Sequence, residues 1–472
     1  MEPAGAAGHR PRPAGHSNRR ENLQKRSPGR CSAEDARQEV RLRRRTTTPG
    51  GQEALQDSRG TLPKAYKTHR PLQASRNPEN APRASLNNLQ ARASVKILWL
   101  NWRCIKHPLA GGAEVYTHEV ARRLGRIGHE VVLVTSKPAD LPKEEMIDCY
   151  RIIRAGNRYT VYLHARRIYW QLRNQGWRPD VVIDEVNTIP FLTPKYVEEP
   201  IAMLVHQLCK ECWAYAIHPL IQPFGWRLER RLHKIYVESA KNGKLRAIIT
   251  VSPSTKQDLI ELGYPEDRIF IVYNGLDWDF YKDCVDLCRD KENLVVYVGR
   301  ITPYKRLEDL LKAWRMVEQE HSDAELVVAG RAEPRYLRKL MELKRKLDLR
   351  RVELRTNILG EEKKHLLAKA KILVYTSIRE GWGQTVLEAA ACKTPAVAYN
   401  VPGLRDSVKH MKTGILIESG DIEQLAKAVT HLLIDHELRD RLAENAYRYA
   451  QQHSWNKTAE TFLKVVEGAV HG

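Results

Sequence analysis

The chain has 472 residues, more than one hydrophobic core usually holds, so we expect two domains. Its net charge of +21 is uneven, because residues 1–93 hold 19 Lys and Arg residues against 8 Asp and Glu residues. No uninterrupted apolar stretch reaches the roughly 20 residues that cross a bilayer, so the sequence predicts no transmembrane helix.

Residues 1–93 contain no Ile, Phe or Trp and are rich in Arg, Pro, Ser, Asn and Gln. Such a segment cannot bury enough apolar area to offset chain entropy, so we expect a disordered basic extension. It has no apolar core for a signal peptide, and its acidic residues disfavour a transit peptide. A basic arm for nucleic acid and a segment upstream of the true start are both open explanations.

From Ser94 onward, short apolar runs alternate with helical patterns, which predicts βαβ units and a parallel sheet. The first half of this region predicts five strands and one helix. In chain order these are strand Val95–Leu100, helix Val115–Ile127, and strands Glu130–Val134, Val181–Ile183, Ile201–Val205 and Ala247–Val251.

A second series of alternating strands and helices begins at Leu294, after a predicted linker at Asn274–Glu292. Its predicted elements are strand Leu294–Gly299, helix Leu307–Glu318, strands Glu325–Gly330, Val352–Leu354, Ile372–Tyr375 and Pro395–Tyr399, and helices Asp421–Ile434, Glu437–Gln451 and Trp455–Val466. The predicted fold class is therefore α/β, with two doubly wound, Rossmann-like parallel-sheet domains that face each other across a cleft. In such sheets, ligands bind at the carboxyl ends of the strands.

Eight cysteines are scattered along the chain, which is typical of a reducing compartment and not of a disulfide framework. The pairs Cys209 and Cys212, and Cys284 and Cys288, could together supply four thiolates to zinc. About seventy residues separate the two pairs and the second spacing is loose. We therefore expect incidental free thiols and no metal site.

The stretch Arg379–Glu388 reads REGWGQTVLE and places two carboxylates, Glu380 and Glu388, eight residues apart. It follows a predicted strand, turns at two glycines and opens a helix that lacks Gly and Pro. Unpaired N–H groups at a helix N-terminus bind anions, and carboxylates accept hydrogen bonds from hydroxyl groups. The pattern therefore predicts a ligand with both phosphate and hydroxyl groups, such as a nucleotide sugar.

Two carboxylates are also found in glycosidases, where one is the acid and the other is the nucleophile or base. If Glu380 and Glu388 lay on one helix, eight residues would separate them by about 12 Å. Glycosidases need roughly 5 to 9.5 Å between the two carboxyl groups. The spacing therefore favours one carboxylate for the hydroxyl groups of a sugar and the other for those of a ribose.

Two more motifs lie between predicted strands and helices. Gly111 and Gly112 precede the first helix, where paired glycines allow the backbone to approach a ligand closely. A flexible turn is the alternative, because the dinucleotide-binding glycine spacing is absent. Arg300 and Lys305 follow strand Leu294–Gly299, and two cations at that place would hold a diphosphate and stabilise its charge as it leaves.

His206 follows the predicted strand Ile201–Val205 and therefore faces the same cleft. At this position it would donate to a sugar hydroxyl or orient an acceptor. A histidine that is hydrogen-bonded within the strand-end loop is the alternative.

Together these motifs resemble the family-four retaining glycosyltransferases with the GT-B fold, over nearly all of Val95–Val466. The segments that carry the resemblance are Gly111–Glu114, Val251–Ser254, Val272–Asp277, the Arg300 and Lys305 pair, the Glu380 and Glu388 pair, and Val401–Leu404. The resemblance implies an N-terminal acceptor domain at 94–283, a C-terminal donor domain at 284–454, and a final segment at 455–472 that crosses back to the first domain.

The resemblance also implies a role for each matched residue. The catalytic residues would be His206, Arg300, Lys305 and Glu380. The donor-binding residues would be Gly111, Gly112, Arg300, Lys305, Gly381, Trp382, Gly383, Thr385 and Glu388, with the cations on the diphosphate, Glu388 on the ribose and Glu380 on the transferred sugar. Trp382 departs from the family, where Phe is more usual, but it keeps an aromatic face.

Such enzymes need no metal or other cofactor and use a nucleoside-diphosphate sugar as the donor. The resemblance implies retention at the anomeric carbon by front-face attack, with a glycan, lipid-linked or small-molecule acceptor and no nucleic acid. The alternatives are another GT-B enzyme, such as a sugar phosphorylase or nucleotide-sugar epimerase, and a non-catalytic sugar-binding or nucleic-acid-binding protein.

Residues 207–231 interleave aromatic and basic side chains, among them Trp213, Phe224, Trp226, Arg227 and Arg231. This mixture suits a peripheral membrane contact or a lipid-linked acceptor, and a lid-like loop over the acceptor cleft explains it equally well. We therefore expect a cytoplasmic protein, peripheral at the inner face of the membrane if the first explanation holds.

Overall fold

The structure is a computed structural model that describes residues 94–216, 222–288, 290–358 and 360–471. The predicted disorder of residues 1–93 lies outside the described residues.

The first sheet has eight strands, rich in Val, Ile and Leu. They are β1 (Lys96–Leu100), β2 (Glu130–Thr135), β3 (Glu144–Ile147), β4 (Tyr150–Arg154), β5 (Val181–Val186), β6 (Ile201–Val205), β7 (Leu245–Thr250) and β8 (Ile269–Ile271). Their order across the sheet is β3-β4-β2-β1-β5-β6-β7-β8, and all pairs are parallel except β3 with β4. Central strands such as β5 and β6 are buried along their whole length, as expected where helices cover both faces.

The helices of this half connect successive strands of the sheet. They are α1 (Gly112–Arg126), α2 (Val161–Asn174), α3 (Trp213–Ala216), α4 (Gln222–Lys241) and α5 (Pro253–Glu261), with short 3₁₀ turns at Thr193–Lys195, Lys210–Cys212 and Glu266–Arg268. Two short helices, α6 (Trp278–Tyr281) and α7 (Cys284–Leu287), lie within the predicted linker.

The second sheet has six parallel strands in the order β11-β10-β9-β12-β13-β14. They are β9 (Glu292–Val298), β10 (Glu325–Gly330), β11 (Val352–Thr356), β12 (Ala370–Tyr375), β13 (Ala396–Tyr399) and β14 (Gly414–Ile417). The helices are α8 (Leu307–Glu320), α9 (Pro334–Lys346), α10 (Glu361–Lys369), α11 (Gln384–Ala391), α12 (Leu404–Ser407), α13 (Ile422–Ile434), α14 (His436–Ala450) and α15 (Trp455–His471), with a 3₁₀ turn at Pro303–Lys305.

The last helix, α15, returns to the first sheet, as predicted. Phe462 stacks on Trp99 of β1 with ring centroids 4.9 Å apart, and both side chains are fully buried. On α1, Arg123 Nε donates to Asn456 Oδ1 at 2.7 Å. The two aromatic side chains each remove roughly 150–250 Å² from water, so this contact holds the end of the chain against the first half.

The α/β class and the two doubly wound sheets are confirmed, and each predicted strand and helix is present within a few residues of its predicted ends. The first sheet lies within 94–283 and the second within 284–454, and the domain boundaries themselves stay predictions. The sequence prediction missed the hairpin β3–β4, strands β8 and β14, and helices α2, α4, α9 and α10. Strand β3 is mostly exposed, so its residues lack the apolar pattern that identified the buried strands.

The lid-like loop considered for 207–231 is wrong for its second half, because helix α4 begins at Gln222. Residues 217–221 of this stretch lie outside the described residues. On α4, the buried carboxylate of Glu229 accepts from Cys209 N at 2.8 Å and from Trp213 Nε1 at 2.8 Å. Cys209 and Trp213 are therefore packed against this helix.

The prediction of incidental free thiols is wrong for Cys284 and Cys392, which form a disulfide between α7 and the end of α11. This bond also removes Cys284 from the four-thiolate zinc site considered above. Among the described residues, no group of three His, Cys, Asp or Glu side chains is arranged to hold a metal ion. None of the described helices has both the length and the apolar character that crossing a bilayer requires.

Candidate active site

A glycine turn connects β12 to α11 and brings the two sheets into contact. Gly383, just before α11, has φ of 86°, a left-handed conformation that favours glycine. A Cβ on Gly381 would lie 2.7 Å from the carbonyl oxygen of His206, which follows β6 of the first sheet. The turn therefore requires glycine at 381, because any side chain would push the two halves apart.

Glu380, in the same turn, forms an ion pair with Lys305 and accepts a hydrogen bond from Ser377 Oγ at 2.6 Å. The ammonium group of Lys305 is buried and lies 4.8 Å and 5.1 Å from the ring centroids of Tyr304 and Tyr375. Burial alone would lower the pKa of Lys305, but the carboxylate of Glu380 outweighs it, so the pKa is raised. Lys305 is therefore a fixed positive charge.

Three arginines meet beside this pair, and two of them were not predicted. Arg300 is exposed to the cleft and donates to the Tyr304 hydroxyl at 2.7 Å. Arg103, which follows β1, ion-pairs through Nε with Glu114 at 2.8 Å, and Arg331 follows β10. Burial and the nearby guanidinium of Arg300 both lower the pKa of Arg331, so the two groups lie within electrostatic range.

The guanidinium of Arg300 also repels that of Arg103. Burial lowers the pKa of Arg103, the carboxylate of Glu114 raises it, and the guanidinium of Arg300 lowers it further. In the part of the chain that the structure describes, Arg300 and Arg331 form no salt bridge. Tyr304 and the carboxylates of Glu380 and Glu114 raise the pKa of Arg300, so its guanidinium stays charged. Because Arg300 and Arg331 have no ion pair of their own here, a polyvalent anion would relieve their repulsion.

The glycine loop of the first half lies against these arginines. The N–H of Gly111 donates to Glu114 Oε2 at 2.6 Å, so that amide is already occupied. Gly112 starts α1, and the first N–H groups of a helix have no partner within it. A Cβ on Gly112 would meet no atom within 4 Å, so there is open space for a ligand beside these amides.

His206 is hydrogen-bonded to a carboxylate that the sequence analysis missed. Its Nε2 lies 3.1 Å from Glu185 Oε1, and Glu185, at the carboxyl end of β5, is fully buried. Glu185 Oε2 also accepts from Trp99 Nε1 at 2.8 Å and from Thr117 Oγ1 at 2.6 Å. Two adjacent acidic residues, Asp184 and Glu185, directly after the apolar run Val181–Ile183 were the signal that could have identified Glu185.

Glu388 lies on α11 beside a cavity of about 250 Å³. Its carboxylate forms an ion pair with Lys363 and is almost fully buried. Burial and the nearby Glu388 both raise the pKa of Tyr281, which lines the cavity from the linker side. Val115 of α1 also lines the cavity. Because Val115 is about one helical turn after Gly112, the cavity lies next to the glycine loop.

Trp382 and Thr385, also predicted to bind the donor, are both buried. The Trp382 ring packs 5.0 Å from the Tyr273 ring and 5.6 Å from the His453 ring, so it stabilises the turn from behind. The structure thus brings together the cations, the glycine loop and Glu380, and leaves the Trp382 ring in an aromatic cluster.

An ion-pair network next to Glu380 was also missed. Arg379 is buried and bonds Glu211 through Nε at 2.6 Å and Asp258 through Nη1. Glu211 and Asp258 belong to the first half of the chain and Arg379 to the second. The glycine turn is therefore held to the first half by charge as well as by the close contact of Gly381.

Comparison with known proteins gives consistent matches. Residues 286–449 match the family model "Glycosyl transferases group 1", and residues 110–280 match the model "Glycosyltransferase Family 4". A D-inositol 3-phosphate glycosyltransferase of Thermomonospora curvata is 32% identical over 399 residues, which cover 76% of this chain and 91% of that protein.

Two solved structures share the fold at lower identity. Sucrose-phosphate synthase from Thermosynechococcus elongatus superposes with a TM-score of 0.67 at 20% identity, over 79% of this chain and 98% of that one. HepE of Anabaena, determined in complex with UDP and glucose, superposes with a TM-score of 0.60 at 17% identity, over 79% and 99%.

Proposed function

The chain belongs to the family-four retaining glycosyltransferases, and we propose that it transfers the hexose of a UDP-hexose to a small, negatively charged polyol, with UDP as the leaving group. Members of this family have the GT-B fold and use nucleotide sugars. Residues 94–283 with 455–472 would form the acceptor domain and residues 284–454 the donor domain. UDP is chosen because HepE, which shares the fold, was determined with UDP and glucose.

The arginine cluster against the glycine loop is the observation that carries the donor site. Arg300 and Lys305 come from the second half of the chain, and the amides of Gly112 and Ala113 come from the first. A diphosphate between them would accept hydrogen bonds from both halves and relieve the repulsion between Arg300 and Arg331. The positive charge of Lys305 would then stabilise the diphosphate as it leaves.

The cavity beside Glu388 supports a ribose site. The carboxylate of Glu388 is held in place by Lys363. Its remaining lone pairs would accept hydrogen bonds from the ribose hydroxyls. Because the cavity adjoins the first turn of α1, one extended nucleotide would reach from the diphosphate site into it.

Glu380, oriented by Lys305 and Ser377, would bind hydroxyl groups of the transferred sugar. If His206 donates its Nε2 proton to Glu185, its Nδ1 is left as an acceptor for a sugar or acceptor hydroxyl. In front-face attack, the bond from the anomeric carbon to the phosphate oxygen breaks as the bond to the acceptor oxygen forms. The acceptor proton passes to the departing phosphate, so no protein nucleophile is required.

The small anionic acceptor is favoured by cations along one edge of the first sheet. Arg103, Lys137 and Arg158 follow β1, β2 and β4, which are neighbouring parallel strands, so their carboxyl ends meet at this edge. The Thermomonospora relative is named for D-inositol 3-phosphate, a phosphorylated polyol. Glycan and lipid-linked acceptors are the other acceptor classes that the test below must separate.

A membrane contact is supported by the outer face of α4. Phe224 and Leu228 are 63% and 47% exposed, and Arg227 and Arg231 are exposed on the same helical face, three or four residues apart. This combination suits peripheral binding to an anionic membrane on the cytoplasmic side. Phe224→Ser with Leu228→Ser should abolish cosedimentation with anionic vesicles and leave sugar transfer to a water-soluble acceptor unchanged.

The test of function is a thermal-shift screen with UDP-, GDP- and ADP-sugars, since a ligand that binds only the folded state raises the melting temperature. The stabilising donor is then incubated with myo-inositol, an inositol phosphate, a soluble glycan and lipid-linked sugars, and the products are identified by mass spectrometry. Stabilisation by UDP-sugars and transfer to the phosphorylated polyol alone are expected. Stabilisation by GDP- or ADP-sugars only would refute the donor, and donor turnover without any acceptor would refute transfer.

A further inference from the structure

Arg331 joins the second half of the chain to the glycine loop of the first. It follows β10, and its two Nη groups donate to the carbonyl oxygens of Pro108 and Ala110, the latter at 3.3 Å. These carbonyls belong to the residues just before Gly111. One side chain of the donor half thus contacts the loop that supplies backbone amides to the cleft.

The bond to Ala110 constrains the loop because a peptide unit is planar. The carbonyl of Ala110 and the N–H of Gly111 belong to one peptide unit and point in opposite directions. Arg331 holds the carbonyl, and Glu114 Oε2 accepts from the N–H at 2.6 Å. The orientation of this unit is fixed from both sides, and with it the start of α1 and the amides of Gly112 and Ala113.

We propose that Arg331 is a positioning residue for the donor diphosphate, which it serves by holding the glycine loop against the arginine cluster. The inference rests on the donor site proposed above. A role limited to the stability of the fold is the competing explanation, so the test must separate phosphate-dependent effects from general ones.

The key variant is Arg331→Gln, which removes the charge and the forked pair of donors. Arg331→Lys keeps the positive charge, but a single ammonium group cannot reproduce the two guanidinium donors that contact two separate carbonyl oxygens. Arg335→Gln is the matched control, because Arg335 is an exposed arginine of the following helix α9. Calorimetric titration of the full chain with UDP, UMP and uridine measures how the loss depends on the phosphates.

Arg331→Gln is expected to weaken UDP binding about tenfold and to change uridine binding less than twofold. Arg331→Lys should recover part of the loss, and Arg335→Gln should match the wild type. Amide hydrogen exchange in residues 105–116 should be faster in Arg331→Gln, and UDP should no longer slow it.

Unchanged UDP affinity and unchanged exchange in Arg331→Gln would overturn the inference, as would an equal loss for UDP and uridine. Failure of the donor proposal has a different signature, because wild-type protein would then not bind UDP. The same comparison is in that case made with the nucleoside diphosphate that the thermal-shift screen selects.

Discussion

Replacing Glu185 by Gln tests whether this buried carboxylate sets the chemistry of His206. The fully buried carboxylate accepts from Trp99, Thr117 and His206. The Gln carbonyl can still accept from Trp99 and Thr117, but its amide then presents N–H groups to His206 Nε2. Nε2 must become an acceptor, so the proton moves to Nδ1 and that nitrogen can no longer accept from a ligand hydroxyl.

The expected effects on stability and on catalysis are measured separately. A hydrogen bond to a charged group contributes about 1.5–3 kcal/mol and a neutral one about 0.5–1.5, so the exchange costs about 1 kcal/mol for each of the three hydrogen bonds. The total loss of stability is therefore at most about 3 kcal/mol, because a neutral amide is less costly to bury than a carboxylate. In the variant, His206 Nδ1 would lose its hydrogen bond from the ligand hydroxyl, and its N–H would face the hydroxyl donor instead. Together these two effects would cost about 1.5–3 kcal/mol in the transition state. This corresponds to a decrease in kcat/KM of roughly 10-fold to 160-fold.

Asp184→Asn is a matched control on the same strand. Asp184 is also fully buried, but successive side chains of a strand point to opposite faces, and it bonds Thr193 and Tyr236 instead. This variant should lose stability and keep its kcat/KM. Steady-state kinetics and urea unfolding of both variants, with ¹⁵N NMR of the His206 ring to identify the tautomer, complete the assay.

Wild-type kcat/KM in Glu185→Gln would refute the reasoning, because the tautomer of His206 would then not matter for transfer. An equal loss of activity in Asp184→Asn would also refute it, since the effect would then come from general destabilisation of the strand.

Glu388→Gln should weaken UDP-sugar binding by about 1–3 kcal/mol through loss of a buried ribose contact, as measured by calorimetry, and a 2′-deoxy donor should bind both proteins alike. Lys305→Ala should lower the chemical rate far more than acceptor KM, because the leaving diphosphate loses its fixed charge, and normal single-turnover rates would contradict this. The Cys284–Cys392 disulfide closes a loop of 108 residues, so its removal should lower the free energy of unfolding in urea by up to about 4.7 kcal/mol. Under non-reducing conditions the Cys284→Ala, Cys392→Ala double variant should therefore be less stable than the wild type, and equal stability would contradict this. Burial lowers the pKa of His233 to about 4, so the unfolded chain binds the proton more strongly and stability falls as the pH drops from 6.5 towards 4. His233 should contribute about 2 kcal/mol of the loss at pH 5, and His233→Leu should reduce the pH dependence of urea unfolding by that amount. The remaining dependence comes from groups such as His107 and His453, whose pKa values burial also lowers to about 4.

Local pattern was sufficient to predict much of the fold. Buried strands such as Ile201–Val205 are continuous apolar runs, and the glycine turn before Gln384 has the residues its backbone requires. Helix α4 was missed because Pro and Gly lie in its first turn and aromatic and basic residues alternate along it, so its apolar stripe is hidden. The exposed strand β3 lacks the apolar run that marks a buried strand.

The sequence by itself determined the order of the strands and helices and the family motifs, because hydrophobic period, glycine turns and helix starts are properties of neighbouring residues. Only the tertiary structure decided which groups act on each other. His206 and Glu185 are 21 residues apart and Arg331 and Ala110 are 221 apart, yet each pair is in hydrogen-bond contact. These partners lie at strand ends or, for Ala110, in the loop that follows β1, and they meet only after the sheets have formed and packed against each other.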